Sequence, residues 1–165
     1  MIISLIVAAS TNNAIGKGNK LLWSLPNDMR HFKNTTWAMP VVMGRKTFDS
    51  MGGKPLSGRK NIIITRQKDW KAEGVISASD LESAIAVAEK IDAKELFVIG
   101  GGEIYLQTLP LANTIYLTRV HAEILGDVFF PELDINLWKQ VKNQFLSKDE
   151  KHAFDYSFQF WERIK

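Results

Sequence analysis

At 165 residues and 45% hydrophobic, with no cysteine, the chain has enough apolar material for one buried core and none for disulfides or thiolate metal sites. The formal net charge of +3 is mild. Its cations are spread along the chain, which favours anionic small molecules over nucleic acid.

Residues 2–9 are an unbroken apolar run rich in branched side chains, which predicts a strand buried on both faces. Residues 10–25 are polar, carry Ile15-Gly16-Lys17-Gly18-Asn19 and lead into Trp23. They lack regular periodicity and predict a loop able to act as a lid that excludes water. Pro26 suits a first helical turn, so a helix is expected from Pro26 to Thr36. On it Asp28 and Phe32, four residues apart, set a carboxylate and an aromatic ring on one face, with Met29 close by. That face suits a flat heterocycle; an acid complementing the positive helix end is the plain alternative.

Val41-Val42-Met43 predicts the next strand, running through Gly44 into a short helix over residues 45–51 that begins Arg45-Lys46-Thr47. This is not a P-loop, because the earlier glycine is missing and no glycine adjoins the lysine. The turn Leu56-Ser57-Gly58-Arg59-Lys60 presents Arg59, whose planar fork suits a carboxylate. The strand Ile62-Ile63-Ile64 then leads to Thr65-Arg66. Cations at two neighbouring strand ends suit a phosphate, although for any single one solvated surface charge is the commoner reading.

Ser79 and Glu82 read as a capping box ahead of Leu81, Ala84, Ile85, Ala88 and Ile91, predicting a helix over residues 81–91. Leu96-Phe97-Val98-Ile99 reads as a strand running through Gly100-Gly101-Gly102 into a helix over residues 103–109. Glycines there permit close backbone approach, and the free N–H groups of a helix start suit a pyrophosphate. Residues 115–120, 138–145 and 156–164 alternate with period two and predict antiparallel strands at one sheet edge. The expected fold class is α/β: a mixed, mostly parallel central β-sheet flanked by helices, with antiparallel C-terminal strands. The three histidines, His31, His121 and His152, have no ligand-like spacing, so no metal is expected. Residues 1–9 have no basic leader, and no apolar run approaches the roughly 20 residues of a membrane helix. A single domain over residues 1–165, cytoplasmic and monomeric, is expected, with no membrane or nucleic-acid partner.

Taken together and in order, Ile15-Gly16, Trp23 with Leu25-Pro26-Asn27-Asp28, Met43-Gly44-Arg45-Lys46-Thr47-Phe48, Gly58-Arg59, Gly100-Gly101-Gly102 with Ile104-Tyr105, and Gly126-Asp127 before Phe130-Pro131 resemble the dihydrofolate reductases along essentially the whole chain. The resemblance implies NADPH-dependent reduction of 7,8-dihydrofolate to 5,6,7,8-tetrahydrofolate, by hydride transfer to C6 and protonation at N5. It implies that Asp28 binds the pterin, with Thr118 in the same network and Trp23 above them near an ordered water. Ile6, Val7, Met29, Phe32, Met51 and Leu56 would line the pterin and aminobenzoyl pocket, and Arg59 would hold the α-carboxylate of the glutamate tail. Ala8, Ile15, Gly16, Asn19 and Lys20 would approach the nicotinamide half of NADPH. Gly44, Arg45, Lys46, Thr47, Thr65, Arg66, Ile99, Gly101, Gly102, Glu103, Ile104, Tyr105 and Gln107 would hold the rest of the cofactor. A cis peptide between Gly100 and Gly101 is also implied.

Three positions depart from the family pattern. Leu22 replaces a usual proline, Met51-Gly52-Gly53-Lys54 is one residue longer, and Ser57 replaces a common proline. They touch the lid and the rim of the folate-tail pocket, away from the reacting centre. A reductase of another pteridine or of a riboflavin precursor would keep the glycine turn and the cations without needing Asp28 or Arg59. A nucleic-acid-binding module would need clustered cations interleaved with aromatics, which the spacing does not supply.

Overall fold

The branched apolar runs become strands in the computed structural model, which describes residues 1–165. In chain order the elements are β1 (Ile2–Ser10), β2 (Ala14–Gly16), α1 (Pro26–Thr36), β3 (Val41–Gly44), α2 (Arg45–Ser50), β4 (Asn61–Ile64), β5 (Val75–Ala78) and α3 (Leu81–Lys90). They continue with β6 (Glu95–Gly100), α4 (Gly102–Thr108), a 3₁₀ turn (Leu109–Leu111), β7 (Thr114–Val120), β8 (Val128–Phe129), β9 (Trp138–Leu146) and β10 (Tyr156–Arg163).

Eight strands form one sheet in the order β5-β4-β3-β6-β1-β7-β10-β9. All pairs from β5 to β7 are parallel, whereas β10 runs antiparallel to both β7 and β9. The expected fold class holds. After β1 the chain crosses to β3, β4 and β5, then returns as β6 between β3 and β1. That reversal opens a crevice at the carboxyl ends of β1, β3 and β6, where open α/β sheets bind ligands.

Period-two alternation splits the core between the two faces. Leu5, Val7 and Ala9 join Val42, Ile62 and Val98 against Ala84 and Ala88 of α3 and Ile104 and Tyr105 of α4. Ile6 joins Val41, Met43, Ile63 and Phe97 against Phe48 of α2 and Phe32 of α1. Each fully buried aliphatic side chain contributes on the order of 2 kcal/mol. A one-residue slip of β1 would exchange its two faces, so burial pins the register on which the crevice depends.

Strands β2, β5 and β8 were not anticipated from the sequence. β2 and β8 have three and two residues, too few for periodicity to register, and the four-residue β5 is interrupted by Ser77 and lacks the three-residue branched or apolar run that marks β3 and β4. The capping box at Ser79 and Glu82 does not form. With α3 starting at Leu81, Asp80 becomes the N-cap and its Oδ1 accepts the Ser83 N–H at 2.7 Å.

Candidate active site

Asp28 sits in the first turn of α1 and reaches Thr118, the register partner of Ala8 near the carboxyl end of β1. Thr118 of β7 is buried and donates its hydroxyl to Asp28 Oδ1 at 2.6 Å. Burial raises the Asp28 pKa above the ordinary carboxylate value, while the Thr118 bond and nearby His31 pull the other way without overcoming it. His31, three residues along the helix, stacks on Phe158 of β10 with ring centroids 4.2 Å apart. Burial lowers the His31 pKa, opposed by Asp28. Trp23 packs against the buried group of Leu25, Val120 and Tyr156 just before this turn.

The crevice walls are apolar. Phe32, Met51, Leu56 and Ile99 pack, partly buried, around the core group that contains Ile6. Met29 is largely exposed. Ile6 faces this side of the sheet, whereas the Val7 side chain lies on the opposite face, among the residues packed on α3 and α4. Val7 therefore reaches the crevice only through its backbone, a limit imposed by strand alternation.

Arg59 closes one end. Its Nη1 donates to Thr36 Oγ1 at 3.1 Å and its Nε to the Ser57 carbonyl at 2.9 Å. The guanidinium lies over the rings of Phe32 and Trp37 at 5.9 and 5.7 Å. Gly58 makes this approach possible: its φ is +75°, and an added Cβ would lie 2.3 Å from the Trp37 ring. Gly58→Ala is expected to cost about 2 kcal/mol of stability or more, read as a lower urea midpoint; an unchanged midpoint would show that Trp37 yields freely.

At the other end, β3 and β6 deliver two helix starts side by side. The N-caps of α2 and α4 are Gly44 and Gly101, neither with a side-chain cap, so the first N–H groups of both helices lack local acceptors. The Gly100–Gly101 peptide is cis, as the resemblance implied. A Cβ on Gly101 would lie 3.2 Å from Thr47 Oγ1, so the two turns nearly touch. Arg45 donates to Gln67 through Nη1, sits over Trp70, and pairs with Asp49 only through a 3.5 Å contact from its Nε. Thr65 Oγ1 accepts the Gln67 N–H. Lys46 is exposed, and Arg66, 93% exposed, makes only a 3.8 Å contact to Glu103. Gln107 bonds Glu103 along the exposed side of α4. Ile104 and Tyr105 are instead buried, and the Tyr105 hydroxyl donates to the Ile6 carbonyl at 2.8 Å. They hold α4 onto β1 and shape the turn from behind.

The polar loop is more ordered than its sequence suggested. Ile15 and Gly16 lie in β2, paired with β8, and Lys17 and Lys20 exchange backbone hydrogen bonds across Gly18 and Asn19, both at positive φ. The Asp127 N–H donates to the Gly16 carbonyl, and Asp127 Oδ2 accepts the Gly18 N–H, each at 2.9 Å. Arg119 of β7 anchors the loop's start through Ser10 O and Asn13 Oδ1. Ala8, near the end of β1, is partly buried beside this loop.

Sequence reading missed Asp127 as a tether of the loop, Arg119, and the partners of Asn27. The Asn27 N–H donates to His152 Nε2 and its Nδ2 to the Tyr156 hydroxyl. No local pattern announces these partners; the absence of a capping side chain at Leu25 was the one available signal.

A parallel α/β sheet with an acid and an apolar crevice on one side of its central strand, and two uncapped helix starts with cations on the other, defines an enzyme that brings a nucleotide against a flat organic substrate. The family model described as dihydrofolate reductase matches residues 2–163. The chain is 43% identical to the type 3 dihydrofolate reductase of Salmonella typhimurium over 96% of each chain. It is 42% identical to the dihydrofolate reductase of Bacillus subtilis, over 98% of this chain and 94% of that one. Among solved structures it superposes on the dihydrofolate reductase of Enterococcus faecalis, complexed with NADP(H) and RAB-propyl, with a TM-score of 0.91 and 34% identity, covering 99% and 97% of the two chains. The chain belongs to the dihydrofolate reductase family, and its reaction is the NADPH-dependent reduction of 7,8-dihydrofolate to 5,6,7,8-tetrahydrofolate.

Proposed function

We propose that Asp28 is the group on which this reaction turns, binding the pterin through its 2-amino group and N3. The carrying observation is the Asp28–Thr118 hydrogen bond at 2.6 Å, set on α1 beside an apolar wall. Ionised Asp28 favours the protonated, iminium-like pterin. Thr118 holds the carboxylate's orientation, and Trp23 shelters it and leaves room for the water that brings the proton to N5. Ile6, the Val7 backbone, Met29, Phe32, Met51 and Leu56 flank the pterin and aminobenzoyl rings and keep water away.

The residues present fit the cofactor. A Cβ at Gly101 would press on Thr47 Oγ1 at 3.2 Å and one at Gly102 would lie 2.7 Å from Val128 Cγ1, which keeps the turn's backbone bare, and Arg45 stands beside it with its Nε 3.5 Å from Asp49 Oδ2. NADPH, when bound, supplies the hydride. Gly44, Arg45, Lys46, Thr47, Thr65, Arg66 and the turn from Ile99 through Gly101, Gly102 and Glu103 to Gln107 hold its phosphates and adenosine. Ile104 and Tyr105 support that turn from the core. Ala8, Ile15, Gly16, Asn19 and Lys20 enclose the nicotinamide half. The chain's main catalytic work would be to orient the substrate against the bound cofactor and to exclude water.

The test is the fall in nicotinamide absorbance when purified protein meets NADPH and dihydrofolate, with methotrexate as control. A rapid, inhibitor-sensitive fall supports the reading; tight NADPH binding without a fall would move it to a different pteridine-like substrate. Arg59→Ala is expected to raise KM for dihydrofolate about tenfold with kcat nearly unchanged, and to leave a tail-less pterin unaffected. Equal losses for both substrates would remove Arg59 from the tail site.

We also read residues 1–165 as one domain, supported by apolar cores on both faces of the eight-stranded sheet, and as a cytoplasmic monomer that takes no nucleic acid, the last in keeping with cations spread along the chain. No helix is long and apolar enough to cross a membrane. Sedimentation as a dimer would overturn the monomer.

A further inference from the structure

Pro26 has no N–H and Leu25 no side-chain acceptor, so α1 lacks the local cap that a partly buried helix start needs. The acceptor comes from the far end of the chain. The Asn27 N–H donates to Nε2 of His152 at 3.1 Å across 125 residues. His152 lies in the turn between β9 and β10 and is only 2% exposed. Its Nδ1 is 2.7 Å from Asp149 Oδ1. Its ring stacks on Tyr156 at 5.1 Å, and the Tyr156 hydroxyl accepts from Asn27 Nδ2 at 2.8 Å. Asn27 is therefore held by both its backbone and its side chain, and the next residue is Asp28.

These bonds define one tautomer. Nε2 accepts, so the ring proton is on Nδ1 and is donated to Asp149. The bond from His152 holds the Asp149 carboxyl below its usual range. A second ring proton would remove the acceptor and set a positive charge against the positive end of α1. Asp149 and Tyr156 are the titratable groups in contact with the ring; Lys148, Glu150, Lys151 and Asp155 belong to the same turn, and Asp28 and His31 to α1 beyond Asn27.

We propose that neutral His152 is the N-cap of α1 and a positioning residue for Asp28, setting the depth and rotation of the turn from which the carboxylate reaches Thr118. This rests on the assignment of Asp28 to the pterin.

The test compares His152→Phe, which keeps a ring against Tyr156 but has no acceptor, with His152→Gln, which restores an acceptor and a donor. His152→Phe is expected to lower kcat/KM for dihydrofolate about tenfold, mainly through kcat, with the NADPH Kd within about twofold. His152→Gln should recover most of that loss. Equal losses in the two variants, no loss in His152→Phe, or parallel weakening of NADPH would overturn the proposal. Long-range proton–nitrogen NMR of the unmodified enzyme decides the matter even where a variant fails to fold: Nε2 must be unprotonated and Nδ1 protonated at neutral pH, and the reverse pattern or a doubly protonated ring overturns the cap. Asp28→Asn in the same assay separates the two readings. Full activity in that variant removes the Asp28 assignment, whereas an inactive Asp28→Asn beside an unaffected His152→Phe removes only the cap.

Discussion

Asp28→Asn is expected to retain NADPH affinity while kcat/KM for dihydrofolate falls about 10²–10³-fold at neutral pH. The substitution preserves shape and leaves an oxygen to accept the Thr118 hydroxyl, which bonds Asp28 at 2.6 Å. The charge that would favour the protonated pterin is lost, together with one of the two oxygens that would accept from it. Bulk protons can replace that effect, so the residual rate should climb as pH falls. Comparable turnover in the two proteins at neutral pH would sink the assigned role.

The same substitution tests the electrostatic setting. Burial raises the Asp28 pKa in the folded protein. Between the unfolded carboxylate value and the higher folded one, the native state holds more protons than the unfolded state. Stability therefore falls as pH rises through that window and stays lower above it. Asparagine carries no such penalty. Asp28→Asn should melt at a higher temperature than the parent at neutral pH, with the gap narrowing as pH falls towards the unfolded carboxylate value. A variant that is less stable at neutral pH would mean that the carboxylate is held by more than Thr118.

Lys46→Ala combined with Arg66→Ala is expected to weaken NADPH about 10²-fold and NADH no more than about threefold, since two charge-assisted contacts to an extra phosphate would be removed. Neither cation is committed elsewhere in a way that resists this. Lys46 is exposed, and Arg66 contacts only the exposed Glu103, at 3.8 Å, a surface pair of little worth. Rising salt should weaken NADPH binding more in the parent than in the double variant. Parallel losses for the two cofactors, measured by titration, would refute the placing of Lys46 and Arg66 at the phosphate that NADPH has and NADH lacks.

The departures from the family pattern lie apart from the hydrogen bonds that reach the start of α1. Leu22, Ser57 and the Met51-Gly52-Gly53-Lys54 segment lie in loops, outside the helices and strands. Asp28 is bonded from elsewhere, directly by Thr118 on β7, and its neighbour Asn27 by His152. Variation in those loops can alter closure and the grip on the folate tail without displacing the acid.

Local composition determined the long strands, the extent of α1 and the shared face of Asp28 and Phe32, because apolar runs and three-to-four-residue spacing are written within a few residues of the groups they place. The glycine turns and the cations after β3, β4 and β6 were legible for the same reason. Their meaning as one site depended on resemblance along the whole chain. The Asp28–Thr118 bond across 90 residues was implied by the resemblance and is given its geometry by the fold, whereas tertiary structure alone decided that His152 meets the Asn27 N–H across 125 residues and that the polar loop is tied to Asp127 through β2 and β8. It also sent Val7 and Ile6 to opposite faces and buried Tyr105 behind the glycine turn. Such partners are chosen when packed elements bring polar groups to a shared buried point where each must be satisfied, and no short stretch of chain carries a record of what it will meet there.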